Sequence, residues 1–518
     1  MGRNQPQWLN DAIFYEIYPQ SFNDTNGDGI GDFQGIIQKL DYVKSLGCNA
    51  LWINPCFLSP FGDAGYDVED YYQAAPRYGT NEDLRELFSE AHKRGIHVLL
   101  DLVPGHTSVR HKWFIESMKP EQNEFSDRYI WTGNIWEKPD DLDCLRGISD
   151  RNGCCALNFF AHQPALNYGY ANPDPNKKWQ QQPDSPAPRA TVAAMEDVMR
   201  FWLGMGCDGF RVDMAGTLIK GDPDGSANIK LWQGIRAFLD AEFPEAAIIS
   251  EWGEPDKSLA GGFHMDFLLH FGPSHYNDLF RCERPFFAKD GKGDAYEFVQ
   301  TYKANRAKAP DGLICIPSGN HDMSRLSLDV GAENLPIAFM FLLSMPGAPF
   351  IYYGDEIGMR YVQGLHSVEG GYERTGSRSP MQWDSSTNAG FSSAPAEKLY
   401  IPMDSSPDRP NVKAQESDEG SLLNEIRRII TVRRKHSALG NLGGIEFVYC
   451  EKNEYPLAYV RSLADEKVLV VINPAAREVC FDSDLEIGEK IYAVGGEIKS
   501  GNGKITVSPQ SAGFYAIR

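Results

Sequence analysis

The sequence predicts an α/β protein: a (β/α)8 barrel with a small domain inserted after the third strand and a C-terminal all-β sandwich. Three observations predict it. Eight short β-rich apolar runs recur between residues 13 and 356, and several are apolar on both faces, as parallel strands between two layers must be. The third run ends at 104 and the fourth begins at 209, a span too long for a bare loop. After residue 437 the pattern changes to short alternating strands between turns.

The runs follow in order: IFYEIYP (13–19), ALWINP (50–55), HVLLDLVP (97–104), GFRVDM (209–214), AAIISEW (246–252), MDFLLHFG (265–272), LICIPSGN (313–320) and PFIYYGDE (349–356). Helical patterns lie between them. In NEDLRELFSEAHKRG (81–95), Asn81 is the expected N-cap, Leu84, Leu87, Phe88 and Ala91 form one stripe, and Gly95 closes the end. The segment 105–172, rich in Asn, Gly, Pro and aromatics, reads as the inserted domain, and a Pro/Gln-rich connector follows it. Of its aromatics Trp131, Trp136, Tyr168 and Tyr170, most are expected in a small core. A Gly-rich polar segment (358–415) and a helix (421–439) precede YPLAYVRS, KVLVVINP, EKIYAVGG and GKITVSP, the terminal strand patterns. The expected division is a barrel over 1–104 and 173–436, an inserted domain over 105–172 and a sandwich over 437–518.

Composition narrows the function. The formal net charge of −21 argues against nucleic acid or an anionic membrane as partner, since both select a basic face. No window has the roughly 18 apolar residues of a membrane span, and the N-terminus lacks a signal peptide's apolar core. A cytoplasmic, non-membrane protein acting on a small neutral molecule is the expectation. The ten cysteines contain no C-x-x-C and are expected as free thiols. GMGCDG (204–209) has dinucleotide-fingerprint spacing but precedes a strand and follows a helix, so it reads as a turn.

A barrel of this kind carries its chemistry where the strands end. The third run offers Asp101 and His106, the fourth Arg211 and Asp213, the fifth Glu251, and the seventh Asn320, His321 and Asp322. Residues two apart in a strand share a face, so Arg211 and Asp213 lie side by side. Taken alone, R-x-D reads as a structural ion pair. With the other acids on the same rim, it reads as an arginine that keeps Asp213 ionised as a nucleophile. Glu251, with no sequence partner, then stays protonated as an acid. One anionic and one protonated carboxyl across a bond is the arrangement for glycoside hydrolysis.

These motifs in this order resemble the α-amylase superfamily, glycoside hydrolase family 13. The likeness spans nearly the whole chain through DLVPGH (101–106), GFRVD (209–213), SEWGE (250–254) and GNHD (319–322). It implies Asp213 as nucleophile, Glu251 as acid/base and Asp322 as transition-state stabiliser. By the same likeness His106 and His321 bond the sugar, Arg211 orients Asp213, and Tyr66 with Asp67 forms a stacking tyrosine and its neighbour. SRSPMQWDSSTNAGFS (377–392) and HQPALNYG (162–169) are similar to the α-glucosidase, oligo-1,6-glucosidase and trehalose synthase branch. That branch implies an Asp63–Arg378 clamp on a terminal glucose 4-hydroxyl, with Arg325 as a further branch residue. Gly105, Ala165, Met214 and Trp252 depart from the usual residues of the motifs.

In NDTNGDGIGD (23–32), Asp24, Asn26, Asp28, the Ile30 carbonyl and Asp32 alternate around a glycine bend, the start of a calcium loop or else a solvated acidic turn. The resemblance implies a structural calcium there and no organic cofactor. The expected activity is a retaining, exo-acting α-glucosidase on small α-glucosides or oligosaccharides. The alternatives are a transglycosylase or isomerase of the trehalose synthase type, and a non-catalytic sugar-binding or transporter-associated relative, which predicts missing carboxylates.

Overall fold

Each of the eight runs forms a strand of one parallel sheet in the computed structural model, which describes residues 5–139, 142–310 and 312–517. The strands are β1 (Phe14–Ile17), β2 (Ala50–Ile53), β3 (His97–Leu102), β4 (Gly209–Val212), β5 (Ala247–Ser250), β6 (Met265–Phe267), β7 (Leu313–Cys315) and β8 (Phe350–Tyr352). They are hydrogen-bonded in the order β7-β6-β5-β4-β3-β2-β1-β8. A parallel bridge between Pro317 and Phe350 joins the two outer strands and closes the barrel. Ser318 N donates to Phe350 O at 2.9 Å beside it. Seven of the eight strands are buried throughout, and only His97 of β3 is half-buried, which is why alternation is absent from their sequences.

Helices cover the outside: α1 (Phe33–Leu46), α2 (Asn81–Lys93), α3 (Pro186–Met205), α4 (Ser226–Glu242), α5 (Pro255–Gly261), α6 (Tyr296–Lys308), α7 (Leu335–Leu342) and α8 (Leu422–Lys435). The apolar stripe of α2 is buried as expected, but Thr80 and not Asn81 is its N-cap. Thr80 and Asp83 form a reciprocal capping box, while the Asn81 side chain bonds Ala74 N and Tyr72 O. GMGCDG is a turn: Gly206 ends α3 at φ 113° and Gly209 opens β4.

The segment after β3 contains a short helix (Lys112–Ser117) and a two-stranded hairpin, Cys144–Arg146 with Cys154–Ala156. Trp131, Tyr168 and Tyr170 are buried there, whereas Trp136 is 83 % exposed. A second hairpin, Phe57–Leu58 with Asp70–Ala74, stands in the loop after β2 and carries no alternation by which to read it from sequence. The C-terminal region is antiparallel throughout. A five-stranded sheet and a three-stranded sheet (479–482, 504–507, 498–501) stack face to face. In strand Glu466–Asn473, Val468, Val470 and Ile472 join the barrel-side core while Leu469 and Val471 face the small sheet. All ten cysteines are free, and no helix of the described residues is long and apolar enough to cross a membrane.

Candidate active site

The strand register brings the rim residues together. Asp101 pairs with Arg211 across β3 and β4, and Arg211 with Ile249 across β4 and β5, so Glu251 comes level with Asp213. Arg211 is 1 % exposed. Its Nη1 donates to Asp101 Oδ1 at 2.9 Å and Asp213 Oδ1 at 3.2 Å, and Nη2 lies 2.7 Å from Glu251 Oε1. The Trp52 ring lies under the guanidinium, 5.0 Å from centroid to carbon. One cation therefore serves three buried carboxylates. This corrects the expectation that Arg211 belongs to Asp213 alone and leaves Glu251 unpartnered: adjacent strands supply the partner that linear spacing hides.

The electrostatics follow from that crowding. Burial and the adjacent Glu251 push Asp213 well above the usual carboxylate range, against the pull of Arg211. Burial likewise raises Asp101, with Arg211 opposing. In a second cluster, burial alone would raise Asp322, but His321, Arg374 and Arg378 outweigh it and hold it well below the ordinary value. Met214, directly after Asp213, adopts φ 45°, a left-handed conformation uncommon for a side chain of its size, and its N–H donates to Glu251 Oε2 at 3.2 Å.

These groups border a cavity of ≈ 520 Å³. Of the expected residues, Asp63, Tyr66, His106, Asp213, Glu251 and Asp322 line it. The other five expected side chains stand behind its wall. Asp67 is fully buried and accepts from Ser59 Oγ, Gly62 N and Asp63 N, so it shapes the loop that carries Asp63. Arg211 reaches the cavity only through its carboxylates. His321 is fully buried, with Nδ1 3.0 Å from Glu16 Oε1 and Nε2 3.2 Å from Asp322 Oδ2, so it braces Asp322. Arg325 bonds Tyr353 O and Asp355. Arg378 donates to His321 O (2.8 Å) and Asp322 Oδ1 (3.1 Å), so it lies behind Asp322 and not at the cavity surface beside Asp63.

The arginine at the cavity is Arg374. It donates to Asp322 Oδ1 at 2.5 Å and lies 3.8 Å from Asp63 Oδ1. Two arginines four apart, Arg374 and Arg378, precede SPMQW, and sequence spacing does not say which faces inward. Trp252, which stood out in sequence only as a departure from the motif, also lines the cavity, as do Phe159 and Phe271, which escaped sequence reading. Trp252 packs over Gly216, where a Cβ would stand 2.4 Å from the indole nitrogen. Asp63, buried and bonded by Gln163 at 2.8 Å, is raised by burial to about 6.

His321 yields a pH prediction. Burial alone would lower it, but Asp322 and Glu16 raise it to about 9 from 6.5. A raised histidine contributes stability fully below 6.5, and that contribution is lost as pH rises through about 9. The difference in unfolding free energy between wild type and His321→Gln should therefore shrink between those pH values. Urea titrations on either side of the window check it, and a constant difference contradicts the charged cluster.

The first loop is organised by its own side chains. Asp24 accepts from Gly27 and Gly29 N–H at 2.8 Å, Asn26 from Asp28 N at 2.9 Å, and Asp28 from Ile30 N at 2.8 Å. Asp32, the last expected ligand, accepts from Thr25 and from Gly35 N, capping α1. No group of three His, Cys, Asp or Glu side chains converges as a metal site among the described residues. Asp24, Asn26, Asp28, the Ile30 carbonyl and Asp32 are a hard-oxygen donor set of the kind that suits calcium.

Residues 16–441 match the family model described as alpha amylase, catalytic domain. The chain is 32 % identical to a trehalose synthase/amylase of Mycobacterium tuberculosis, over 91 % of this chain and 82 % of that protein. It is 30 % identical to an oligo-1,6-glucosidase of Parageobacillus thermoglucosidasius, over 92 % of each. Among solved structures, trehalulose synthase MutB of Pseudomonas mesoacidophila superposes with a TM-score of 0.83 at 25 % identity, covering 99 % of each chain. A variant of that enzyme has been solved with its substrate sucrose.

Proposed function

The chain belongs to the α-amylase family, and from that premise we propose that it is a retaining, exo-acting α-glucosidase of small α-glucosides. In this reading Asp213 attacks the anomeric carbon while Glu251 protonates the leaving oxygen. Water then enters with Glu251 as base, and Asp322 grips the sugar hydroxyls. The observation that carries it is the convergence of Asp213, Glu251 and Asp322 on one cavity, with the first two held by a single guanidinium. Burial and the adjacent Glu251 raise Asp213, as expected of two carboxyl groups held close together on one cavity. Asp63, Arg374 and Asp322 line one side as acid, base and acid. That array suits the vicinal hydroxyls of a terminal glucose and supports exo action.

A second reading has a specific observation behind it. Phe159, Trp252 and Phe271 give the cavity an apolar margin, where a released sugar can stay and return to the glucosyl-enzyme. Transglycosylation or isomerisation, the activity named for the trehalose synthase and trehalulose synthase relatives, uses the same carboxylates. Product analysis on maltose separates the readings. Glucose alone is expected for the hydrolase, and a new disaccharide as the main product overturns it. Under either reading, Trp252→Ala should lower the ratio of transfer to hydrolysis, measured by chromatography at high maltose.

We assign a structural calcium to the first loop through Asp24, Asn26, Asp28, the Ile30 carbonyl and Asp32, bracing it and performing no chemistry. Calcium titration of chelator-treated protein should raise the thermal midpoint, and Asp24→Ala should remove the response. An unchanged midpoint in wild type contradicts the site. The free cysteines fit a reducing, cytoplasmic setting.

A further inference from the structure

Lys220 stands in the loop between β4 and α4, buried against the inserted segment. Its backbone joins the two parts: its N–H donates to Gly169 O at 3.0 Å and its carbonyl accepts from Ala171 N at 2.9 Å. Its ammonium donates to Thr217 O at 2.6 Å and to Asn158 Oδ1 at 3.0 Å. Asn158 follows the hairpin strand Cys154–Ala156. Its Nδ2 lies 3.0 Å from His106 Nδ1 and 3.7 Å from the Met214 sulfur. On the far side of the imidazole, His106 Nε2 is 3.1 Å from Tyr66 O.

Every partner in this chain has one possible role. Burial lowers Lys220 to about 8, so below that pH it is an ammonium that only donates, and the oxygen end of the Asn158 amide faces it. The amide nitrogen then faces His106, and it also only donates. His106 Nδ1 is therefore a bare acceptor. The Tyr66 carbonyl only accepts, so Nε2 carries the proton. We infer that Asn158, anchored by Lys220, is a positioning residue that holds His106 in the neutral Nε2–H tautomer at the cavity wall. Burial lowers His106 to about 3, which keeps the ring neutral. Gly105 is part of the device: a Cβ there would stand 2.8 Å from Asn158 Nδ2, so a side chain would push the amide out of its place. Through the Met214 contact the same amide also steadies the residue that follows Asp213.

The consequence for a sugar is directional. With Nδ1 taken by Asn158, His106 offers a hydroxyl in the cavity no acceptor, and its one N–H reaches a hydroxyl only by being shared with the Tyr66 carbonyl. This last step rests on the proposed function, but the tautomer does not. Histidine-selective 15N labelling, with His106 signals assigned by their loss in His106→Asn, reads the tautomer without turnover. Wild type is expected to show neutral Nε2–H. In Asn158→Asp the carboxylate can only accept, so a proton is expected on Nδ1 while kcat/KM falls about 10- to 100-fold. Gly105→Ala displaces the amide and Lys220→Met removes its anchor, so both are expected to shift the His106 signals the same way. They also carry the test if Asn158→Asp does not fold. An unshifted tautomer in these variants overturns the inference, as does a reversed tautomer with kcat/KM within about twofold of wild type. If no glucoside is turned over by wild type, the functional reading fails and the tautomer still decides this one.

Discussion

Asp213→Asn should abolish turnover, by roughly 10⁴-fold or more in kcat, without loss of fold stability. The amide is nearly isosteric and can still accept from Arg211, so the wall of the cavity stays intact. It cannot form the glycosyl ester that a retaining mechanism requires. Stability has a definite sign. Asp213 is raised in the folded protein by burial and by Glu251, so keeping it ionised at neutral pH opposes folding. The neutral amide removes that term, and the thermal midpoint is expected to stay level or rise. Steady-state kinetics on maltose or an aryl α-glucoside, alongside a thermal melt, check both parts. Substantial activity in verified, purified variant overturns the nucleophile assignment, whereas a collapsed melt contradicts the electrostatic account.

Arg211→Met should be the most damaging single change to stability at this rim. It leaves Asp101, Asp213 and Glu251 buried around an apolar side chain. Removing one partner of a buried ion pair costs about 3–5 kcal/mol, far more than a surface pair is worth. The orphaned acids can relieve part of this by taking up protons. The loss should therefore be smaller at pH 5 and grow toward pH 8, as their deprotonation becomes favourable in the unfolded chain. Urea titrations at the two pH values measure it. A loss below about 1 kcal/mol at pH 8 contradicts a guanidinium on which three buried carboxylates depend. Arg211→Lys keeps the charge but not the fork that reaches three carboxylates at once, and should fall between wild type and Met.

The barrel was legible because burial on both faces writes itself into sequence as short, unbroken apolar runs. All eight lie where those runs end in polar residues, and the rim acids Asp213, Glu251 and Asp322 were found by that rule alone. The capping residue Thr80 was missed by one position, because Asn81 has the right chemistry and only the hydrogen bonds decide between them. Short hairpins such as Phe57–Leu58 with Asp70–Ala74 have too few residues to show a period.

Side-chain partnership was the part that sequence spacing did not show. Arg378, Arg325, Asp67 and His321 have the residue types of a sugar site, yet all four are buried behind it. Arg374, Trp252, Phe159 and Phe271 border the cavity from loops whose course no local pattern prescribes. What the amino-acid order determined by itself was the fold, the family and the acids at the strand ends, since hydrophobic periodicity and motif order are properties of neighbouring residues. What only the tertiary structure decided was which arginine faces the cavity, and that one guanidinium serves three carboxylates. It also decided that a buried lysine can orient an amide against His106. Those facts depend on distances between residues up to 311 positions along the chain from their partners, where ring closure and strand register, not linear spacing, bring charges within reach.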